Sequence, residues 1–375
     1  MKILVWLGRI FLGLVLLIAL VIAGIYGWWR LGDWQDRAVR DVTFVHDTIL
    51  NHHPGPVDPE NPEFRTLMDE AFINAMVLAE TARSPADHHA ALDAYTDTFN
   101  DGHLSVFFAE NALRFLNSGG SGAPTMTRTS TLNVTDNRAW IRISSFVEQA
   151  SPIAALTTQI EAEADTLRTL DTIVFDLRGN SGGNSAFGTR IVRALWTQDV
   201  YNDWVPSSAA GVDWRASAAN AEHVHGIAQQ NADRGREASA AAWRRVAESI
   251  DAAVAAGEDY ARQDFSARET TRTAPIPVTA QIIVITDRRC ASACLDFMDK
   301  VRAMPNVIHV GAETSSDTQY IDVRFAALPS RTGALIIPLK VYRDRLRPPG
   351  GTYVPDIEVD PETLYWNTLT QILED

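Results

Sequence analysis

Lysine is almost missing from this chain: its 375 residues hold only Lys2, Lys300 and Lys340. Chemistry that needs a lysine base therefore has few places to go. Cysteine is as scarce, with Cys290 and Cys294 alone. A zinc site built on that pair would need histidines close by in space, and no ligand spacing such as H-E-x-x-H occurs. None of the 47 acidic residues falls in the first 30 positions, which carry Lys2, Arg9 and Arg30. The rest of the chain sets 30 basic residues against 47 acidic ones, a balance of −17. A surface of that sign repels phosphate backbones, which argues against nucleic acid as a partner. With 46% apolar and 21% charged residues, the chain has the composition of a globular protein with a sizeable core.

What the first 30 positions do contain is MKILVWLGR followed by IFLGLVLLIALVIAGIYGWW, 20 uncharged residues from Ile10 to Trp29. As a helix rising about 1.5 Å per residue, such a run covers roughly 30 Å of hydrocarbon. It exceeds a signal-peptide core, Trp28 and Trp29 suit a membrane interface, and Lys2 and Arg9 precede it. The pattern predicts a signal anchor over 1–30, a single transmembrane helix that leaves the body facing the periplasm or exterior. A cleaved signal peptide with a site near Ala23 would export the same body. In an exported protein a disulfide between Cys290 and Cys294 is permitted, and four positions apart at a helix start their backbones approach the required separation.

Helical spacing in FRTLMDEAFINAMVLAE and its neighbours predicts a helical N-terminal domain over 31–104. A core over 105–375 follows, with strand candidates NRAWIRISSF, DTIVFDLR, VTAQIIVIT and VIHVG separated by helical segments. Strands alternating with helices indicate an α/β core. Residues 206–273, rich in alanine, arginine and acids, read as a helical insertion with little strand character.

Three distant segments could carry chemistry. NDGHLSV puts His103 on a turn between helix and strand. FDLRGNSGGNS places Gly179, Gly182 and Gly183 after a buried strand and before a helix, where backbone N–H groups can face an anion. RRCASACLDF starts a helix with Ser292. A serine there is a nucleophile or a helix cap; His103 is a base or a structural hydrogen-bonder; the glycine loop is an oxyanion cradle or a turn, and it lacks the lysine of a Walker motif. The pairs His52-His53 and His88-His89 read as solvent-exposed histidines rather than metal ligands. Arg178 reads as a structural partner for an acid near the glycine loop, with binding of a peptide carboxylate as the alternative.

In their order these segments resemble the C-terminal processing (tail-specific) serine peptidase family, whose wider membership includes the tricorn core proteases. The matching stretches are WIRISSF, TIVFDLRGNSGG, IIVITDRRCASACLDF, HVGAETSSDTQY and YVPDIEVDP, and NDGHLSV is similar to the Asp-x-His segment of the histidine-using branch. The resemblance implies a crotonase/Clp-like ββα spiral core, Ser292 as nucleophile, and an oxyanion hole from the amide of Ala293 with Gly182 or Gly183. Where the processing branch has its lysine, this chain has Asp317, and Lys300 lies eight residues beyond Ser292, about 12 Å along a helix. His103 is therefore the expected base. The branch's glutamate before the terminal Pro-Asp is absent from RLRPPGGTYVPD, which leaves Asp317, Asp344 and Glu313 as candidates for the third member of a triad.

The resulting expectation is a membrane-anchored, extracytoplasmic serine peptidase acting on peptides or proteins, with no metal or organic cofactor and no nucleic acid partner. The segment between His103 and Gly179 leaves no room for a PDZ module, so substrate selection would fall to the helical N-terminal part and the insertion. A non-catalytic peptide- or ligand-binding protein on the same scaffold is the alternative. A crotonase-like thioester enzyme would use the same glycine amides, but export separates it from coenzyme A thioesters. Oligomeric state has no signature in the sequence.

Overall fold

The computed structural model describes residues 33–108, 129–148 and 151–374, together with 17, 18, 20 and 21. In chain order the elements begin with helices α1 (Trp34–His52), α2 (Glu63–Glu80) and α3 (Pro85–Asp97), then strands β1 (Ser105–Phe108), β2 (Thr131–Thr135) and β3 (Arg138–Arg142). Helix α4 (Ile153–Arg168), β4 (Thr172–Asp176), α5 (Ser185–Trp196), α6 (Gln198–Trp204) and β5 (Gly211–Arg215) follow. Next come α7 (Ala218–Asp233), α8 (Glu237–Ala256), β6 (Tyr260–Asp264), β7 (Gln281–Thr286) and α9 (Ala293–Val301). The chain finishes with β8 (Val307–Gly311), β9 (Tyr320–Ala327), β10 (Gly333–Arg343), β11 (Ile357–Glu358) and α10 (Trp366–Glu374).

Contacts divide the chain into two compact units, the first being Met1–Leu113, Arg215–Asp259 and Asp322–Leu339. Its helices form where the sequence marks their starts. Asp33 accepts a hydrogen bond from the Asp36 amide at the head of α1, and Ser84 does the same for Asp87 at the head of α3, with Pro85 in the first helical position. Trp34, Ala38, Val42, Val45 and Ile49 recur at helical spacing and are all buried. Helices α7 and α8 pack along each other, and their buried residues are mostly alanine: Ala221 and Ala228 on one, Ala240, Ala247 and Ala253 on the other. Strand β1 pairs antiparallel with the first part of β10, Ser105 opposite Ile336.

The second unit is Arg114–Trp214, Tyr260–Ile321 and Lys340–Asp375. It is built on a six-stranded sheet ordered β11-β8-β7-β4-β3-β2, parallel except where β2 meets β3. Strands β4 and β7 are apolar on both faces, as central strands of a covered parallel sheet must be. Ile173, Phe175, Ile282 and Val284 face a core shared with α4, α5 and α9, whereas Val174, Ile283 and Ile285 face Leu364 and Leu369. Sequence-adjacent residues thus serve two cores, which makes the fold mixed α/β.

The expected fold class needs one correction. Among the described residues no helix is long and apolar enough to cross a membrane, so the transmembrane helix included in the expected fold class is not found among them. The expected anchor at 1–30 lies, apart from 17, 18, 20 and 21, outside the described residues. The stretch 206–273 also differs from its helical reading, because β5 and β6 flank its two long helices. Residues 215–259 belong to the same compact unit as the N-terminal helices, and β1 falls in that unit too.

Candidate active site

Ser292 stands where β7 gives way to α9, at the cap position of the helix, yet its side chain makes no capping hydrogen bond. Its backbone is at φ 54 and ψ −122. That left-handed φ, followed by a strongly negative ψ, is the first central position of a type II′ turn, which favours glycine. Holding a serine there costs about 1–3 kcal/mol, and such strain persists only where surrounding contacts impose it.

Those contacts are in place. The sulfurs of Cys290 and Cys294 are joined across the turn, with Cα atoms 5.3 Å apart. The Ser292 amide donates to Asp317 Oδ1 at 2.9 Å. Asp317 Oδ2 lies 3.5 Å from Arg347 Nη1 and 3.7 Å from Arg345 Nη2, and all three side chains are buried. The same arginines reach Asp296 Oδ1 at 3.1 and 3.4 Å, and Asp296 accepts from the Ser185 hydroxyl at 2.6 Å. Burial alone would raise the Asp296 carboxyl; Lys300 and the two arginines, with Ser185, outweigh it and hold the group below its ordinary value. Asp299 completes the set, bound by Arg347 Nε and by the Tyr353 hydroxyl.

The glycine loop forms the other wall. Gly182 has φ +101, and a Cβ there would come within 2.7 Å of Ser292 Cβ and 3.0 Å of the Ala293 nitrogen, so only glycine fits. Gly183, at φ +132, abuts the backbone of Phe146. The Gly182 amide is occupied by Asn180 Oδ1 at 2.9 Å. Among the described residues the Gly183 and Ala293 amides have no acceptor, and both belong to the turns that meet at Ser292. Stitching between the loops comes from the Gly179 amide donating to Asp287 Oδ2 and the Ala291 amide to Asn180 O. Arg178 pairs with Asp176, the last residue of β4, at 2.6 Å and with Pro361 O at 2.7 Å.

The lysines are committed elsewhere. Lys300 Nζ donates to Asp296 O at 2.6 Å, and Lys340 Nζ sits 4.5 Å above the Trp214 ring. The three carboxylates expected to orient His103 also have other surroundings. Asp317 binds Ser292's own amide, Glu313 accepts from the Thr352 hydroxyl at 2.6 Å, and Asp344 is exposed at a left-handed turn. All three, like Ser292, are in the second unit; His103 is in the first.

A carboxylate outside those three lies next to His103. The His103 amide donates to Asp101 Oδ1 at 2.8 Å, and His103 Nδ1 lies 3.5 Å from the same oxygen. Asp101 is buried and its other oxygen has no partner among the described residues. The signal was the spacing itself: an aspartate accepting from the amide two residues on makes an Asx-turn, and that fold brings the carboxylate beside the second side chain. The histidine pairs are a further correction, because they are not solvent-exposed. His53 is fully buried, stacked on Phe64 and accepting from the Gly55 amide; burial pushes it down to about 4 against the raising effect of Asp101 and Asp58. His88 is fully buried against Asp41 at 2.9 Å. Among the described residues no cluster of His, Cys, Asp and Glu could hold a metal ion.

A non-capping serine on a strained strand-to-helix turn, with unengaged amides beside it, is suited to attack a carbonyl and receive an oxyanion. The family model of Peptidase family S41 matches residues 137–359, more than half of the chain. The chain belongs to that family. It is a serine-type peptidase of the C-terminal processing group, and its substrates are peptides or proteins. A search of curated proteins returns no match. Among solved structures, mature CPAF is similar over 91% of this chain and 96% of its own, at 9% identity and a TM-score of 0.56. The photosystem II D1 C-terminal processing protease is 10% identical over 88% of this chain and 94% of its own, with a TM-score of 0.42. The tricorn protease is 8% identical over 87% of this chain and 34% of its own, with a TM-score of 0.47. At these identities the likeness concerns the fold alone.

Proposed function

We propose that this peptidase works through Ser292 and His103. Ser292 Oγ attacks the scissile carbonyl while His103 takes its proton; the Ala293 and Gly183 amides receive the oxyanion; His103 then returns the proton to the leaving amine, and water releases the acyl group. Asp101, rather than Asp317, Asp344 or Glu313, holds the imidazole. The observation that carries this reading is the left-handed Ser292 backbone with a side chain that does not cap its helix. Neither Lys300 nor Lys340 competes as base, given their partners.

The test is labelling of the full chain by a fluorophosphonate. The parent is expected to react, and Ser292→Ala and His103→Ala are expected not to. A parent that stays unlabelled at every pH would favour a non-catalytic peptide-binding protein on this fold. We also infer that the domain resides outside the cytoplasm, because a Cys290–Cys294 bond persists in an oxidising compartment. Alkylation and mass spectrometry of the protein from separated cell fractions would show that bond outside the cytoplasm; free thiols there would refute the inference.

A further inference from the structure

Arg324 is 7% exposed and makes no ion pair among the described residues. Its Nε donates to Asn220 Oδ1 at 2.9 Å, and Asn220 in turn donates to His52 O at 2.9 Å and to Arg215 O at 3.1 Å. One buried amide therefore joins α1, the end of β5, the start of α7 and β9 around a guanidinium, all within the first unit. The outer nitrogens of Arg324 have no acceptor among the described residues. Two further nitrogens of this cluster, Arg215 Nε and His52 Nδ1, are buried and without hydrogen-bond partners among the described residues. Glu222 is the carboxylate that Arg324 senses, from an exposed position and outside ion-pair range. Arg215 has Asp259 at 3.1 Å for another of its nitrogens.

This is the reverse of the second unit, where every buried arginine among the described residues meets a carboxylate. A buried, unpaired guanidinium strongly disfavours the folded state unless something of opposite charge reaches it. The field it makes is visible in its neighbours. Burial together with Arg324 and Arg215 lowers His52 to about 4, and burial together with Arg324 lowers His223 against Asp322. Both imidazoles are then neutral near pH 7 and able to donate one N–H without adding charge.

We propose that Arg324, with Arg215 and His52, forms a carboxylate-binding site for peptides. The guanidinium fork matches a carboxylate's two oxygens, whereas a single amide carbonyl would satisfy only one nitrogen and none of the charge. The proposal rests on the peptidase reading only in naming a peptide as the carrier of the carboxylate. That carboxylate is either a chain terminus or an acidic side chain, and the test separates them.

The full chain carrying Ser292→Ala is titrated with three alanine-rich peptides: one with a free C-terminus, one amidated, and one amidated but carrying an internal glutamate. Because the readout is binding rather than turnover, and the amidated peptide serves as the reference, the outcome does not depend on whether Ser292 is the nucleophile. Tighter binding of the first alone assigns a terminal carboxylate; tighter binding of the third assigns a side-chain one. Adding Arg324→Gln should weaken the favoured peptide by about ten- to a hundredfold and leave the plain amide unchanged. Arg324→Lys, which keeps charge but loses the fork, should fall between. Removing an unpaired buried charge should also leave the melting temperature of the free protein equal or higher, whereas a structural arginine would lower it. Equal affinity for all three peptides overturns the proposal even if the Arg324 variants do not fold.

Discussion

The turn at Ser292 and the turn at His103 are held by different means. Around Ser292 a disulfide, a charge network and a glycine wall fix the backbone itself, down to its left-handed φ. Around His103 the Asp101 carboxylate accepts from the backbone amide and lies 3.5 Å from ring Nδ1. The contrast follows from the tasks proposed for them. A nucleophile next to oxyanion donors must have its main chain placed, because those donors are main-chain groups. A base needs chiefly a defined ring orientation and tautomer, which one acceptor can supply.

Variants can break that contrast, beginning with the chemistry itself. Ser292→Ala should lower kcat on a peptide substrate by about a million-fold, down to the uncatalysed floor of the folded protein. Asp101→Asn keeps the turn but changes the acceptor beside His103, and kcat should fall by up to about 10⁴-fold with little change in KM. If His103 is oriented by some other group, this variant will be nearly silent. Gly182→Ala adds an atom against Ser292 and puts alanine at φ +101, so kcat should drop on the order of a hundredfold through displacement of the turn. The smallest catalytic effect is expected at Asp317. Asp317→Ala removes the acceptor of the Ser292 amide and should cost about tenfold in kcat, while Asp317→Asn, which retains an oxygen, should recover most of it.

Stability offers a matching pair, one histidine in each unit. Burial lowers His53 to about 4, and burial with Arg302 lowers His309 to about 4, from an ordinary 6.5. The unfolded chain takes up these protons first, so the stability each neutral ring contributes is complete above pH 6.5 and is lost as pH falls toward 4. Each pKa unit corresponds to about 1.4 kcal/mol. The melting temperature should therefore fall between pH 6.5 and 4 and change little between 7 and 8. A His309→Gln variant should show a shallower slope in that window.

Local patterns in the chain were enough for the helices of the N-terminal stretch, the central strands and the two turns proposed to carry chemistry, because each is written in spacing, caps and glycines. Ser292 could be singled out as cap or nucleophile, but its backbone angle and the absence of a capping bond arise from Asp317, Gly182 and Cys294, which lie up to 110 positions away. Asp101 is the opposite case: it sits only two positions from His103, and the Asx-turn that sets it beside the ring is local. The histidine pairs read as exposed because their neighbours are polar; helix packing buried His53 and His88 all the same.

By itself, then, the sequence determined the elements, the candidate hydroxyl and imidazole, and the scarcity of lysine that narrows the choice of base. Only the tertiary structure decided which charges face one another. Asp317 meets arginines and an amide, Asp101 lies beside a ring, and Arg324 has no ion-paired acid among the described residues. The physical reason is range: hydrophobic periodicity acts over a few residues, whereas pairing of buried charge depends on loops brought together from remote parts of the chain.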